Sequence, residues 1–185
     1  MLSFMGRRPF VKEAILEAAF DCFARQGYEA VSTRQVAEAA GVGNASMFRH
    51  FASKEALGRA VYARAMLPFS RGLDAIAAEG PTPEAALAAI VELLYRSYDE
   101  HPRACALLVF PPHEFIPDEL DDRKATAIRR RCADLLGIAD ARLAIVWGAL
   151  TGALQDRFLH RRRGRMAPVA AEHARLITPL IAGVP

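Results

Sequence analysis

Residues 32–54 read STRQVAEAAGVGNASMFRHFASK, and this stretch decides the fold. It contains two short helical patterns, Thr33–Ala40 and Asn44–Phe51, which are separated by only three residues, GVG. Three residues can do little more than turn a corner between two helices. The stretch therefore predicts a helix-turn-helix.

The first of these two helices has a readable beginning and end. Ser32 can cap its amino terminus, and Gln35, three residues on, can reach back to the Ser32 amide to complete a capping box. Gly41 follows the last helical residue and can adopt the left-handed conformation that side chains resist. Local sequence alone thus predicts where this helix starts and stops.

The helical period divides the second helix into two faces. Met47 and Phe51 lie four residues apart, so we expect them to face inward together with Val36 and Ala37 of the first helix. The opposite face carries Asn, Ser, Arg and His side chains, which suit base edges and phosphates better than a core. Its clearest outward positions are Asn44, Ala45, Phe48 and Arg49.

A corner within an all-helical domain that binds no DNA is the alternative interpretation, because small residues are common in such corners. The segment after the turn, HFASKE, favours DNA binding. Ser53 can cap a third helix, and Lys54 then lies in the first turn of that helix. A lysine there opposes the helix macrodipole unless an anion such as a DNA phosphate is nearby.

With the preceding AILEAAFDCFARQGYEAVSTRQVAEAAGV and the following FRHFASKEAL, the segment resembles the DNA-binding domain of the TetR family, the tetracycline-repressor-like regulators. The resemblance covers about the first third of the chain and implies operator DNA as a partner. It also implies that Asn44 reads adenine and that Arg49 reads guanine. The residues that it implies to contact mostly phosphates are Thr33, Arg34, Ser46, His50 and Lys54.

Two residues depart from the family's pattern. Gly43 occupies a position where a polar capping residue is usual, a change that costs roughly a few tenths of a kcal/mol. Phe48 occupies the position of a usual Tyr whose hydroxyl bonds a phosphate, a contact worth roughly 1 kcal/mol. Ala45 is expected either to contact a thymine methyl group or to serve helix packing.

The net charge of the 185 residues is +3, and its distribution is uneven. Up to Arg64 there are nine Lys and Arg against six Asp and Glu, whereas from Ala65 onward there are fifteen of each. The positive excess therefore lies in the segment expected to bind DNA. No apolar run reaches the roughly 18 residues of a membrane span, and no signal peptide is recognised, so we expect a cytoplasmic protein without membrane contact.

No pattern of catalytic or metal-ligating residues is present. The five histidines lack HExxH spacing, and neither a GxSxG motif nor a phosphate-binding glycine loop occurs. Cys22, Cys105 and Cys132 are far apart in apolar helical contexts, which predicts reduced core thiols, with a redox sensor as the alternative. We expect no enzyme activity, no metal and no cofactor.

The rest of the chain predicts helices and no strands, so we expect an all-α fold of about nine helices. The predicted domains are a helix-turn-helix DNA-binding domain at 1–52 and a helical ligand-binding and dimerisation domain at 53–185. Pro68 is expected to kink or split the helix that begins near Ser53, and PPHEFIP, residues 111–117, is expected to be a loop. Residues 1–8 are expected to form an arm, either on DNA or solvated. The other predicted helices are Pro9–Gln26, Pro83–Glu100, Arg103–Phe110, Asp118–Leu136, Ala139–Arg161 and Ala167–Ala182.

The helix at 139–161 carries an apolar band wider than one neighbouring helix would cover. With the family's arrangement, this band predicts a homodimer through a four-helix bundle of the last two helices of each copy. The RRRGR run, residues 161–165, is explained by its place at a helix end, and a second phosphate patch is the alternative. The predicted interface residues are Trp147, Leu150, Leu154, Phe158, Leu176 and Leu180.

Aromatic residues cluster in the second domain near a proline-rich loop, which predicts a pocket for an unidentified small apolar ligand. Each of these residues is alternatively plain core. The expected lining is Tyr62, Met66, Phe69, Leu94, Tyr98, Phe110, His113, Phe115 and Trp147.

Together these features predict a transcriptional regulator, most simply a repressor that a small apolar ligand releases from a palindromic operator. Two alternatives remain open from sequence. One is a helical module that binds other proteins, and the other is a DNA binder without a small-molecule effector.

Overall fold

The computed structural model describes residues 8–110 and 125–182 of the chain, and all regular structure within them is helical. No single helix among these residues is long and apolar enough to cross a membrane, and only the bent pair Ile128–Leu136 and Ala141–Leu159 meets that test, by length and composition alone. The predicted all-α fold is confirmed. The helices are α1 (Arg8–Gln26), α2 (Thr33–Ala39), α3 (Asn44–His50), α4 (Lys54–Ala78), α5 (Pro83–Glu100), α6 (Pro102–Val109), α7 (Ala125–Leu136), α8 (Asp140–Leu159) and α9 (Ala170–Ile181).

Two predicted features differ from the structure. Pro68 does not split α4, which continues as a helix to Ala78, whereas the alternative of a kink at Pro68 stays a prediction. Because Pro68 is exposed, its missing N–H leaves a carbonyl that water can reach. The helix predicted at Ala167–Ala182 begins instead as a 3-10 turn, Ala167–Val169, and becomes α9 only at Ala170. The predicted loop at 111–117, the start of the Asp118–Leu136 helix and most of the predicted arm lie outside the described residues.

The described residues form two compact units, 8–64 and 65–182 with the gap at 111–124. The division falls within α4 because Leu57 and Val61, in the first two turns of that helix, are buried in the core of the first unit. The sequence-based domain boundary after residue 52 stays a prediction. Helix α4 thus supplies residues to both units.

The first unit is built around one apolar cluster to which α1, α2, α3 and the start of α4 all contribute. Ile15 and Ala19 of α1, Val36 of α2 and Met47 of α3 each have 0% exposed surface. Full burial of a large apolar side chain contributes roughly 1.5–3 kcal/mol, so this cluster fixes how the short helices α2 and α3 pack against α1 and the start of α4. The predicted inward positions of α2 and α3 are confirmed.

Local backbone chemistry sets the ends of α2. The Ser32 backbone N–H donates to Gln35 Oε1 at 2.7 Å, and the Gln35 N–H donates to Ser32 Oγ at 3.2 Å, which confirms the capping box. Gly41 has a φ of 65°, in the left-handed region, as predicted. Gly43, which precedes α3, has extended backbone with a φ of −71° and provides no side-chain cap.

The second unit is organised around α5, which packs against α6, α7, α8 and α9. Its buried residues include Leu87, Ile90 and Tyr95. The Tyr95 hydroxyl bonds His173 Nδ1 of α9 at 2.6 Å, so a polar contact lies within this apolar packing. At the amino terminus of α5, the Ala85 N–H donates a hydrogen bond to Thr82 Oγ1 at 3.4 Å, which caps the helix.

Cys105 and Cys132 are buried free thiols, whereas Cys22 is a free thiol that is only partly buried. Burial raises the pKa of both Cys105 and Cys132 to about 12 from an ordinary value of 9.0. The predicted core location is therefore confirmed for these two residues.

Gly41→Ala and Gly43→Ser should have opposite effects on stability. A Cβ at either position would meet no atom within 4 Å, so sterics from neighbours are equal and only the backbone conformation differs. Alanine at a left-handed position should destabilise by about 1 kcal/mol, whereas serine before α3 should stabilise by a few tenths of a kcal/mol, roughly, through a new cap. Thermal unfolding followed by circular dichroism measures both, and equal losses at the two glycines would contradict this account.

The stability of the second unit should fall in alkaline solution. Below pH 9 the Cys105 and Cys132 thiols are neutral in both the folded and the unfolded chain. As pH rises from about 9 to about 12, the thiols ionise in the unfolded chain but stay protonated in the folded chain. Ionisation stabilises the unfolded state, so the free energy of unfolding falls. Guanidinium unfolding at pH 8 to 11 should show this decline, and a Cys132→Ala variant should decline less steeply; an equally steep decline in that variant would contradict the assignment to Cys132.

Candidate nucleic-acid interface

The nine side chains predicted to contact DNA lie on α2, on α3 or at the first residue of α4, and none of them is buried. Burial of Val36, Ala37 and Met47 on the opposite faces determines which positions of α2 and α3 turn outward. Their assignment to bases or phosphates stays a prediction. The exposed members are Arg34, Asn44, Ala45, Phe48 and Arg49, and the partly exposed members are Thr33, Ser46, His50 and Lys54.

Arg49 is an exposed cation of α3 that has no partner among the described residues. Helix α3 contains no acidic residue, and Arg49 has neither an ion pair nor a hydrogen bond to any described residue. An exposed guanidinium of this kind can donate two parallel hydrogen bonds to a guanine edge or to a phosphate.

Arg34 is exposed too, but it forms an ion pair on its own helix. Its Nε lies 2.9 Å from Glu38 Oε1, and the two side chains are 81% and 63% exposed. Such a pair contributes only about 0.3–0.5 kcal/mol, so a DNA phosphate can replace the carboxylate at little cost.

Lys54 has partners inside the first unit that the sequence did not indicate. Its Nζ donates to the Glu29 backbone oxygen at 3.1 Å and lies 4.4 Å from the centre of the Tyr28 ring. Lys54 therefore has partners within its own unit, so its place in the first turn of α4 does not by itself indicate a DNA phosphate, and that contact stays a prediction. An ammonium has three donors, so a phosphate contact is still possible.

Phe48 is an apolar side chain on an otherwise polar surface, and 44% of it is exposed. As a phenylalanine it cannot donate the hydrogen bond that a tyrosine hydroxyl would make. An exposed ring beside Ala45 can instead make apolar contacts with a sugar or a thymine methyl group.

Sequence reasoning missed three contributors to this surface: Glu38, Tyr28 and the Glu29 carbonyl. The Arg34 and Glu38 pair could have been found, because a spacing of four residues places the two side chains together on a helix. The Lys54 contact could not, since 25 residues separate it from Glu29 and only the packing of α4 brings them together.

The residues predicted to line a ligand pocket differ in burial and in the unit to which they belong. Tyr62 lies in the unit of residues 8–64, burial raises the pKa of its hydroxyl to about 12, and its assignment to the pocket stays a prediction. Met66, Phe69 and Leu94 are buried in the second unit, whereas Tyr98 and Trp147 are partly exposed and Phe110 is 41% exposed. His113 and Phe115 lie outside the described residues.

The predicted dimer interface needs a correction. Leu150 and Leu154 are only 1% and 0% exposed, so they belong to the core of their own chain and cannot contact a second copy. Helix α8 packs against α5, α6, α7 and α9, and Leu150 and Leu154 lie on its buried side. Of the other predicted residues, Leu176 and Leu180 are exposed, and Trp147 and Phe158 are partly exposed. Ile145 and Leu159 are exposed apolar residues on α8 that the prediction omitted.

The family comparison agrees with the placement of the helix-turn-helix. Residues 15–61 match the family described as bacterial regulatory proteins, tetR family. The HTH-type transcriptional regulator RutR of Escherichia coli (strain K12) is 27% identical over 162 residues, covering 88% of this chain and 67% of RutR. The HTH-type transcriptional repressor AcnR of Corynebacterium efficiens is 44% identical over 46 residues, covering 25% of this chain and 24% of AcnR.

Solved structures share the fold over more than nine-tenths of this chain. A tetR family transcription regulator from Shewanella sp. PV-4 superposes with a TM-score of 0.72 at 20% identity, over 92% of this chain and 95% of that one. FadR from Bacillus subtilis, crystallised in complex with stearoyl-CoA, superposes with a TM-score of 0.71 at 15% identity, over 94% and 99% of the two chains. These identities are low, so the likeness is one of fold.

Glu38→Gln should strengthen binding to any DNA duplex. The change frees Arg34 and removes a negative charge beside the expected phosphates, so affinity should rise about threefold and the salt dependence should steepen by up to about one unit. Fluorescence anisotropy with a labelled duplex at several salt concentrations measures both quantities.

Glu92→Gln is the matched control, because Glu92 forms the same kind of exposed ion pair, with Arg96, on a helix of the second unit. It should leave duplex affinity unchanged. Weaker binding by the Glu38 variant would mean that this carboxylate orients Arg34 instead of competing for it.

Proposed function

Since the chain is a DNA-binding transcriptional regulator of the TetR family and not an enzyme, we propose that it is a repressor that binds a palindromic operator as a homodimer. A small apolar ligand releases it from the DNA, and it acts in the cytoplasm, where operator DNA lies. The observation that carries this proposal is the outward face of α3, on which Asn44 and Arg49 are exposed, Arg49 having no ion pair among the described residues, while Met47 is buried on the opposite side.

Different residues are proposed to contact the base edges and the phosphates of the DNA. Asn44 and Arg49 have the geometry for two hydrogen bonds to adenine and to guanine, respectively, and we assign them to base edges. Thr33, Arg34, Ser46, His50 and Lys54 flank them and are assigned to phosphates, which position the protein without reading sequence.

Asn44→Ala and Arg49→Ala should relax sequence preference at the base each one reads, at a cost of about 1–3 kcal/mol in discrimination. Arg34→Ala should instead weaken all duplexes about equally and flatten the salt slope by about one unit. Selection of bound duplexes from a random pool gives the operator, and competition with single-base variants gives the preference.

An unchanged preference in the Asn44 variant would refute its assignment to base readout. If the parent chain binds no duplex even at low salt, the protein-interaction module becomes the better interpretation. Lys54→Ala tests a mixed role, since loss of the Glu29 contact should also lower thermal stability.

We propose that the dimer forms through α8 and α9 of each copy as a four-helix bundle. Ile145 and Leu176 are 63% and 70% exposed, and apolar side chains of this size are covered in a stable interface. Two-fold symmetry then places two recognition helices about one turn of DNA apart, roughly 34–36 Å, or a multiple of it.

Ile145→Asp combined with Leu176→Asp should yield folded monomers with greatly reduced operator affinity, because each monomer can reach only one half-site. Analytical ultracentrifugation at micromolar concentration gives the oligomeric state, and circular dichroism verifies folding. Leu150→Asp is the contrasting variant, which should unfold the second unit since it buries a charge in the core. A monomeric parent chain would refute the dimer.

We place the effector site in the second unit, where partly exposed aromatic rings occur. The rings of Tyr98 and Phe158 have centroids 5.2 Å apart, and those of Phe110 and Phe158 are 6.1 Å apart. Stearoyl-CoA bound to FadR is a precedent on this fold for a ligand with a long apolar chain. Linkage requires that DNA weaken ligand binding by the factor by which ligand weakens DNA binding, typically 1–3 kcal/mol.

A further inference from the structure

The turn after α8 is rich in arginine and is held in a defined shape. Residues 160–165 read HRRRGR, and we call them the basic turn. Arg157 Nη1 donates to the backbone oxygens of Arg163 and Gly164 at 3.0 and 2.9 Å. Gly164 has a φ of 113°, a conformation that side chains resist, so the turn is shaped by its own sequence.

Only part of the positive charge of the basic turn is neutralised within the chain. His160 Nδ1 and Arg162 Nε both lie 3.0 Å from Asp156 carboxylate oxygens. Arg165 lies 3.5 Å from Asp99, whose carboxylate already accepts hydrogen bonds from two backbone N–H groups, of Met166 and Ala167. Arg161 and Arg163 have no carboxylate partner in the part of the chain that the structure describes.

The end of α8 can account for some of these cations, because a helix carboxyl terminus attracts positive charge. Arg157 lies in that last turn and already interacts favourably with the helix end. The guanidinium groups of Arg161 and Arg163 lie beyond it, so the helix dipole does not account for them. An exposed pair of guanidinium groups on an ordered turn is suited to a carboxylate or a phosphate.

The basic turn adjoins the aromatic cluster of Tyr98, Phe110 and Phe158. Phe158 directly follows Arg157, which holds the turn, and Tyr98 directly precedes Asp99, which pairs with Arg165. The basic turn and the aromatic cluster are therefore connected through neighbouring residues on both α5 and α8. Phe110, whose ring centre lies 6.1 Å from that of Phe158, is 41% exposed, so the aromatic cluster presents apolar surface to solvent at the end of α8 where the basic turn begins.

We propose that this combined site binds an amphiphilic anion, with the apolar chain on the aromatic cluster and the carboxylate or phosphate on Arg161 and Arg163. This inference rests on the proposed function. It refines the effector proposed above, a small apolar ligand, to one whose apolar chain ends in an anionic headgroup. The positive charge selects against cationic amphiphiles of equal length, while the rings supply affinity that a small anion alone lacks.

The test is calorimetric titration of the full chain with three amphiphiles of equal chain length below their micellar concentrations: dodecanoate, dodecyl phosphate and dodecyltrimethylammonium. At least one anion should bind about tenfold or more tightly than the cation. Preference between the two anions identifies the headgroup as carboxylate or phosphate.

Three variants locate the site. Arg161→Ala combined with Arg163→Ala should lower anion affinity about tenfold, and the affinity for the cation should stay equal or rise because the repelling charges are removed. Arg175→Ala removes an exposed arginine of α9 and should change nothing. Phe110→Ala should weaken all three amphiphiles to a similar degree, since it removes apolar contact alone.

Equal binding of anions and cation, or unchanged anion affinity in the double arginine variant, would overturn the inference. So would an unchanged affinity in the Phe110 variant, because the rings would then play no part. Duplex binding is measured on the same samples. If amphiphiles fail to bind while operator binding persists, only this inference fails, whereas loss of all duplex binding by the parent chain refutes the proposed function itself.

Discussion

The shared burial of Val36 and Met47 is the constraint on which the rest of the DNA-binding surface depends. Both side chains have 0% exposed surface, and they fix α2 and α3 against α1 at Ile15 and Ala19. Because a helix has 3.6 residues per turn, fixing Met47 inward also fixes which residues of α3 point away from the core. Truncation of a buried Met typically costs about 2–5 kcal/mol, more than any single exposed contact on the opposite face. The orientation of Asn44 and Arg49 is thus a consequence of core packing.

Helix α4 extends this constraint along the chain, since it contributes to both compact units. In the first unit, Arg64 forms ion pairs with Glu13 and Glu17 of α1. In the second unit, Arg131 of α7 donates to Ser70 Oγ at 2.7 Å and pairs with Asp74. One continuous helix is therefore fastened by polar contacts in each unit. Under the proposed function, a ligand that altered the packing of the second unit would act on the helix that also carries Lys54, which would couple ligand binding to DNA binding.

Features that depend on neighbouring residues were predictable from the sequence, and features that depend on distant packing were not. The Ser32 capping box, the left-handed Gly41 and the inward face of α3 follow from spacings of three or four residues. The burial of Leu150 and Leu154 depends on four other helices, so an apolar band alone could not separate core from interface. The Lys54 contact with Glu29 likewise joins positions 25 residues apart. For the candidate site, the helical period predicted which residues of α3 are exposed. The ion pairs and the buried contacts that hold those residues in place became visible only in the structure.

The measurement that tests the central claim most directly is photocrosslinking between the protein and an operator duplex. Thymines in the selected duplex are replaced one at a time by 5-iodouracil, and crosslinked peptides are identified by mass spectrometry. The account predicts adducts on residues 44–50, with Phe48 as a favoured partner because its ring is exposed at the middle of α3. Adducts confined to other segments, with none on α3, would contradict the claim that core packing of α2 and α3 creates the DNA-reading face.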